Sequence, residues 1–262
     1  MHDDAGPQND TESAAADPWR LNSADRASLA NNSWFSSLPA MVRHDLVRAI
    51  RVRAFAPGEQ VFATGAPLRS WWVCLDGAVR MGASYAGGRS LALLVLRPGQ
   101  WFGDLPLHHP ANHTHDAASL GASRLGEVDA ASMQALVESH PQFHSHLYRW
   151  QSMRLESIFG LLEDHATLPL SVKIAKQLYR LARSHGVREA NGDIRIALSL
   201  SQADVGSLVG SSRQRANAEL GDLMRRGILA FRNGTYTILD MASLSAIIQG
   251  PAGAPLPSQP RD

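Results

Sequence analysis

Between Pro57 and Val128, short apolar runs alternate with glycine, and this spacing restricts the possible folds more than any other feature of the chain. Glycines at positions 65, 77, 87, 88, 99 and 121 separate the runs. Turns at this spacing predict a compact antiparallel β-barrel or sandwich. The predicted strands are Gln60–Ala63, Ser70–Leu75, Ala78–Met81, Ser90–Leu96, Ala117–Leu120 and Arg124–Val128.

Helices are predicted on both sides of this β-rich region. Apolar residues at helical spacing predict one helix over Leu38–Ile50. Asp129 fits the N-cap of a second helix over Ala130–Glu138, because its side chain can accept from a free backbone N–H. Pro141 then fits the first turn of a third helix, which ends near Asp164.

The third helix would be about 36 Å long at the usual rise per residue. Apolar residues lie on two of its faces, so either it packs only on its own barrel or it also serves a second partner. The pattern favours the second interpretation, with a narrow dimer seam. The predicted seam residues are Leu147, Gln151, Leu155, Ile158 and Leu162.

The C-terminal third begins with a break at Ala166–Pro169, which is typical of a hinge or domain boundary. Beyond it the pattern predicts a helix over Leu170–Ser184, a short strand over Ile194–Leu198 and a helix over Ser201–Val209. Gly210 then provides a turn before another helix.

This last pair of helices reads as a helix-turn-helix motif. Gly206 lies within the first helix, where a side chain would block the approach of the second. Ser211 or Ser212 caps the second helix, which runs to about Arg226 and ends at Gly227. Its predicted inward residues are Ala216, Leu220, Leu223 and Met224.

The opposite side of the second helix carries polar groups suited to base edges. Arg213, Gln214 and Asn217 are predicted to point outward, with Arg215 beside them. Two short strands follow, joined by Asn233-Gly234, which is a strong hairpin signal. A hairpin behind such a helix makes a winged helix-turn-helix, with Arg232 at the tip of the wing.

Composition limits the remaining possibilities. The net charge is only +1, but residues 165–240 hold eleven Lys and Arg against six Asp and Glu, which favours a polyanionic partner there. Cys74 is the only cysteine, which excludes an intramolecular disulfide and a four-cysteine metal site. No secretion signal or membrane-spanning run is present, so we expect a cytoplasmic protein.

The order of these motifs resembles the Crp/Fnr family of bacterial transcription regulators. The N-terminal match is “APGEQVFATGAPLRSWWVCLDGAVRM” with “LRPGQWFGDLPL”, and the C-terminal match is “LSLSQADVGSLVGSSRQRANAELGDLMRRGIL”. The resemblance implies an α+β chain with a cupin-like antiparallel β-roll, a dimerisation helix and a C-terminal winged helix-turn-helix. It also implies a homodimer on a two-fold symmetric DNA site, with an effector held in the roll.

The resemblance and the composition together divide the chain into five predicted parts. Residues 1–30 and 249–262 are expected to be disordered, the first because it has few large apolar residues and the second because it is rich in proline. Between them we predict a cyclic nucleotide-binding-like sensor domain at 31–138, a dimerisation helix at 139–165 and a DNA-binding domain at 166–248.

The resemblance assigns DNA contacts residue by residue. Ser212 and Arg213 match a phosphate-contacting serine and a guanine-reading arginine. Gln214 stands where many members have Glu, and because Gln prefers adenine the half-site is predicted to differ. Ala218 stands where cyclic-AMP-dependent members have a second base-reading arginine, for which Asn217 is a candidate substitute. The full predicted set is Gln202, Ser211, Ser212, Arg213, Gln214, Arg215, Asn217 and Arg232.

The resemblance also implies an effector pocket. In cyclic-nucleotide-binding members a Gly-Glu pair contacts the ribose and an arginine neutralises the phosphate. Here Asp104 replaces the Glu, and His113 stands at the arginine position, where a neutral imidazole offers no permanent fork to phosphate. We therefore expect that tight cyclic AMP binding is lost, with a cyclic nucleotide kept as an alternative effector and no cofactor required. The predicted pocket residues are Phe102, Gly103, Asp104, Leu105, His113 and Thr114.

A histidine-rich loop raises a metal-dependent hydrolase as another alternative. Its members are His108, His109, His113 and His115. A dinuclear H-x-H-x-D-H site would need aspartate at 117 and histidine at 118, and both residues are alanine. No H-E-x-x-H motif occurs either, so we predict no metal site.

The sequence therefore favours a DNA-binding transcription regulator that is not an enzyme. The alternative is a ligand-responsive binding module with weak or vestigial DNA binding, which the absence of an arginine at Ala218 favours. Palindromic double-stranded DNA and a second copy of the chain are the predicted partners. RNA polymerase is a further candidate partner, and no membrane contact is expected.

Overall fold

The computed structural model describes residues 19–85, 89–107 and 112–250 of the 262-residue chain. Within these ranges it contains nine helices and twelve strands. The helices are α1 (Ser23–Ala30), α2 (Ser33–Ser36), α3 (Ala40–Ala49), α4 (Ala130–Ser139), α5 (Phe143–Thr167), α6 (Leu170–His185), α7 (Gln202–Leu208), α8 (Arg213–Arg225) and α9 (Met241–Gln249). The strands are β1 (Arg51–Phe55), β2 (Gln60–Phe62), β3 (Ser70–Asp76), β4 (Val79–Tyr85), β5 (Arg89–Leu96), β6 (Trp101–Phe102), β7 (Asp116–Ser119), β8 (Ser123–Asp129), β9 (Gly186–Arg188), β10 (Ile194–Ile196), β11 (Leu229–Arg232) and β12 (Thr235–Ile238).

The predicted antiparallel roll is confirmed, and so is the α+β architecture. Its strands form two four-stranded sheets, in the orders β1-β8-β3-β6 and β2-β7-β4-β5. All six predicted strands are present within a few residues of their expected bounds. The sequence pattern missed β1 and β6, because β1 buries only two of its five residues and β6 is only two residues long.

An aromatic cluster joins the roll to the helices that flank it. The Trp71 and Trp101 rings stack with centroids 4.3 Å apart, and Trp34 of α2 meets Trp71 edge-on at 5.6 Å. Trp150 of α5 meets the other side of Trp71 at 5.0 Å. These offset and edge-to-face arrangements add to the burial of large apolar surfaces. The cluster thereby fixes the start of α5 against the sheet.

The N-terminal segment from residue 19 to residue 30 is ordered, which corrects the prediction of disorder for residues 1–30. Asn22 and Asp25 form a reciprocal capping box at the start of α1. The Asp25 carboxylate also accepts from Arg124 at 2.9 Å, and Leu29 is buried in the core beneath. Composition predicted disorder here because this segment is mostly polar, but Asp25 and Leu29 anchor its helix to the rest of the structure. Residues 1–18 and the tail after residue 250 lie outside the described residues.

The C-terminal part consists of α6 to α9 and the sheet β11-β12-β10-β9. Its core does not end at the boundary with the roll, because Ala78 is buried in the same cluster and Val95 and Leu120 pack against it. The hydroxyl of Ser207 in α7 accepts from the backbone N–H of Ala92 in β5, at 2.9 Å. Because β5 is the edge strand of its sheet, this bond satisfies a donor that lacks a neighbouring strand.

The junction between α5 and α6 holds a compact ionic cluster. Leu168 is extended, which ends α5 before Pro169 and agrees with the predicted break. The Asp164 carboxylate accepts from Lys176 and, at 3.1 Å, from Arg180. Lys176 is buried in spite of its charge, because Asp164 neutralises it across the junction. Across the described ranges, no helix is long and apolar enough to cross a membrane.

We expect Asp25→Ala to lower the free energy of unfolding by about 2–3 kcal/mol, because it leaves the Arg124 guanidinium beneath α1 without its carboxylate and removes one half of the capping box. This is less than for a fully buried pair, since 27% of the Arg124 side chain is exposed. Urea denaturation would measure the change. The matched control is Glu189→Ala, whose pair with Arg195 is exposed and should contribute less than about 1 kcal/mol. Equal losses in the two variants would contradict the structural role of Asp25.

Candidate nucleic-acid interface

The two helices of the helix-turn-helix approach each other at Gly206. A Cβ added to Gly206 would lie 3.2 Å from the Ala216 Cβ and 3.2 Å from the Ser211 carbonyl oxygen. The first helix starts at a capping box in which Ser201 and Asp204 satisfy each other's backbone N–H groups. The turn between the helices uses Gly210 at φ +63°. The predicted reason for a glycine at position 206 therefore agrees with the geometry.

Ser212, and not Ser211, caps α8. The Ser212 hydroxyl accepts from the Arg215 backbone N–H at 3.3 Å, and Ser212 itself is exposed. The Ser211 hydroxyl is buried and has no hydrogen-bond partner within the described ranges. This corrects the prediction of Ser211 as a DNA contact, because its backbone N–H bonds the Gly206 carbonyl and holds the side chain inside the turn.

The first turn of α8 presents its polar side chains to solvent. Arg213, Gln214 and Arg215 are all exposed, and Gln202 is half-exposed at the start of α7. The free N–H groups and positive dipole end of α8 lie at the same place, which suits a phosphate oxygen. Two cations, an amide and a helix N-terminus are thus combined on one surface.

Asn217 is less exposed than the outward group to which it was predicted to belong, and its contact with DNA stays a prediction. The residue is half-buried, and its Oδ1 atom is buried without a hydrogen-bond partner in the described part of the chain. Helix geometry explains this, because Asn217 lies only about 20° around the helix from the half-buried Met224. Ala218, one residue later, is exposed.

The predicted wing is present behind α8. Strands β11 and β12 pair antiparallel, with Arg232 opposite Thr235. Asn233 and Gly234 both have positive φ, 51° and 75°, as a type I′ hairpin turn requires. Arg232 is exposed at the end of β11, beside this turn.

Five of the six predicted effector-pocket residues lie close together in the roll. The Asp104 Oδ2 atom accepts from the Thr114 backbone N–H at 3.3 Å and from its hydroxyl at 3.2 Å. Gly103 adopts φ +86°, and Phe102 is buried in the core of the roll. Leu105 instead packs against the aromatic core beneath α5. One oxygen of the Asp104 carboxylate is therefore hydrogen-bonded within its own chain.

His113 is a buried residue of this region. Its ring stacks on Phe62 with centroids 3.8 Å apart and planes 8° from parallel. Burial lowers the pKa of His113, and nearby Asp104 only partly opposes that effect. The imidazole is therefore neutral near pH 7, as expected from the sequence.

Sequence reasoning missed Arg154, which reaches the same region from α5. Its Nη1 donates to the Gly103 carbonyl at 2.6 Å, and the guanidinium lies over the Trp150 ring at 5.4 Å. Burial lowers the pKa of Arg154, with Asp104 opposing the shift. The sequence did contain a signal for this role: Arg154 lies four residues after Trp150 and so continues the row of α5 that faces the roll.

The histidine-rich loop is only partly described, since His108 and His109 fall outside the described residues. His115 bonds the Thr114 hydroxyl at 2.9 Å. Among the residues that are described, no three His, Cys, Asp or Glu side chains gather as a metal site would require. Cys74 is fully buried, and burial together with Asp76 raises the pKa of its thiol, so it is unreactive.

Helix α5 carries two mostly apolar rows that differ by about 100° around its axis, with Arg154 as the polar member of one and Ser152 as the polar member of the other. One row faces the roll, and its members are Phe143, Leu147, Trp150 and Arg154. The other is exposed, and its members are Tyr148, Ser152, Leu155, Phe159 and Leu162. Leu147 was predicted in the seam, but its side chain is buried in the core of its own chain. It belongs to the row that faces the roll, and the exposed row begins one residue later, at Tyr148. Gln151 and Ile158 are exposed beside that row.

Two family models match the chain. A cyclic nucleotide-binding domain matches residues 52–140, and a Crp-like helix-turn-helix domain matches residues 172–247. These ranges correspond to the roll with α4, and to the part of the chain that contains α7, α8 and the wing.

Relatives with similar sequences are transcription regulators and not enzymes. A CRP-like cAMP-activated global transcriptional regulator of Mycobacterium tuberculosis is 28% identical over 200 residues, which is 76% of this chain and 89% of that protein. A global nitrogen regulator of Synechococcus elongatus is 24% identical and covers 75% of this chain and 89% of its own. The structure of a CRP/FNR-family regulator from Thermus thermophilus has the same fold, with a TM-score of 0.63, 23% identity and coverage of 76% and 98%.

We expect Gly206→Val to lower the free energy of unfolding by about 1–3 kcal/mol, because its side chain would overlap Ala216 and the turn. The matched control is Gly221→Val in α8. Its nearest atom would be the end of the flexible Arg225 side chain, 3.5 Å away. The control should therefore change stability by less than about 0.5 kcal/mol. Thermal and urea unfolding measure both, and an undisturbed Gly206→Val would contradict the close helix contact.

Proposed function

Because the chain belongs to the Crp/Fnr family of transcription regulators, we propose that it acts as a homodimer on a two-fold symmetric DNA operator. The observation that carries this proposal is the exposed first turn of α8. There Arg213, Gln214 and Arg215 surround a helix N-terminus, with the wing behind them. Arginine and glutamine can bond base edges in the major groove, while the helix start and Ser212 suit a phosphate.

The exposed row of α5 supports the dimer. Its members follow one another at intervals of four, three, four and three residues, which is the heptad spacing of a two-helix seam. Tyr148, Phe159 and Leu162 are 77%, 61% and 58% exposed in the single chain. Such an exposed row, apolar except at Ser152, is accounted for if a second copy of the chain covers it. Two copies would then present two α8 helices to half-sites about 34–36 Å apart.

The roll is proposed to have lost tight cyclic AMP binding, although the relative from Mycobacterium tuberculosis is described as cAMP-activated. The support lies in the side chains at the predicted pocket. His113 is stacked and neutral, so it offers no charge to a cyclic phosphate. The Asp104 carboxylate accepts a hydrogen bond from the Thr114 hydroxyl, and its side chain is one methylene shorter than the Glu that contacts ribose in binding members. Titration calorimetry with cyclic AMP tests this, and micromolar binding would contradict it.

We expect in vitro selection from fragmented genomic DNA to enrich a palindrome. Arg213→Ala should then reduce discrimination at one base pair of each half-site by about 1–3 kcal/mol, because a bidentate contact is lost. Competition binding at fixed salt measures this. The matched control is Arg183→Ala, an exposed arginine of α6, which should leave base discrimination unchanged. Selection that yields no symmetric motif would contradict the proposed function.

We expect Leu155→Asp to weaken the dimer at least ten-fold, because it puts a carboxylate into the apolar contact of both copies. Sedimentation equilibrium measures the dissociation constant. The control is Val187→Asp, which alters an apolar residue of β9 with similar exposure, 46% against 53% for Leu155. It should leave association unchanged. If the native chain stays monomeric at all concentrations, the proposed dimer seam is contradicted.

A further inference from the structure

Ala218 occupies the middle of the exposed face of α8. Successive helix residues are about 100° apart, so Ala218 lies nearly opposite the buried side formed by Ala216, Leu220 and Leu223. Gln214 precedes it by one turn on the same face and is exposed as well. The centre of the DNA-facing surface is thus a methyl group, and not a polar side chain.

The surroundings of Ala218 keep this methyl accessible. Asn217, one residue earlier, is half-buried, and its Oδ1 atom is buried. Gly221, the next residue along the face, adds no side chain. Asp222 is held by Arg225 at 3.1 Å and by Arg226 at 3.5 Å, which draws its carboxylate toward the C-terminal end of the helix. Along the line from Gln214 to Gly221, the middle of α8 is therefore a low apolar strip, with Arg215 and Glu219 to one side of it.

This strip has a chemical counterpart in the major groove. Thymine alone among the four bases presents a methyl group there, at C5, and alanine is one of the side chains that contact it. Other base edges would place donors or acceptors against the Ala218 methyl, where they lose water without gaining a partner. A low strip also allows the helix backbone to approach the base edges closely.

We propose that Ala218 is a specificity-determining residue that reads the methyl group of a thymine beside the adenine bound by Gln214. The inference rests on the proposed function. The two residues are about 6 Å apart along the helix axis, and successive base pairs are about 3.4 Å apart, so the two bases lie within two base-pair steps. Each half-site should then contain an adenine bound by Gln214 and, within two base-pair steps, a thymine that contacts Ala218.

The first stage of the test locates the two bases. In vitro selection with the native protein gives the half-site, and selection with Gln214→Glu should change one adenine to cytosine, because glutamate accepts from the cytosine amino group. That change marks the base read by Gln214. A preferred thymine should lie within two steps of it, on either strand.

The second stage removes only the methyl group. Replacing that thymine by deoxyuridine should weaken binding of the native protein about three- to five-fold, which is the usual effect of losing one buried methyl contact. Ala218→Gly should bind thymine and uracil duplexes equally. Uracil at a thymine outside the half-site is the DNA control. Comparing the two duplexes within each protein cancels any effect of glycine on the stability of α8.

The outcomes separate this inference from the proposed function. Absence of any symmetric motif would overturn both. A clear palindrome without a thymine near the Gln214 base would overturn the inference alone. So would a thymine whose replacement by uracil has equal effects on the native protein and on Ala218→Gly. A uracil effect that is present in the native protein and absent in the variant would support it.

Discussion

The contact between α7 and α8 at Gly206 sets the geometry of the DNA-facing half of the chain. Because a Cβ there would lie 3.2 Å from Ala216, a side chain at position 206 would push the second helix away from the first. The turn that joins them, the cap at Ser212 and the direction of the first turn of α8 all follow from that crossing. Arg213, Gln214 and Arg215 lie exposed in that first turn.

Helix α5 connects the two halves by using two of its faces for different purposes. Its inner row inserts Trp150 into the aromatic cluster of the roll and brings Arg154 to the Gly103 carbonyl. At its far end Asp164 binds Lys176 and Arg180 of α6. The residues of the roll, of the exposed row and of the DNA-binding part are thus fixed along one rigid element of 25 residues.

Local patterns predicted most of the fold and only part of the site. The six predicted strands of the roll, the helix breaks and the hairpin at Asn233-Gly234 were predicted correctly because each depends on residues close in sequence, whereas β1, β6 and β9 were missed. Asn217 is half-buried where the pattern predicted an outward side chain, because one step around a helix changes the exposure of a residue. Leu147 was misassigned for a similar reason, since two mostly apolar rows run side by side on α5. Arg154 and Asp25 depend on partners 51 and 99 residues away, which no local pattern shows.

The roll and the DNA-binding part share a core, through Ala78, Val95 and Leu120, and a hydrogen bond between Ser207 and Ala92. This shared surface has an evolutionary consequence. A DNA-binding domain recombined from a relative would meet the edge of β5 with side chains selected for a different roll. Side chains of the two parts must therefore stay compatible with each other along this boundary.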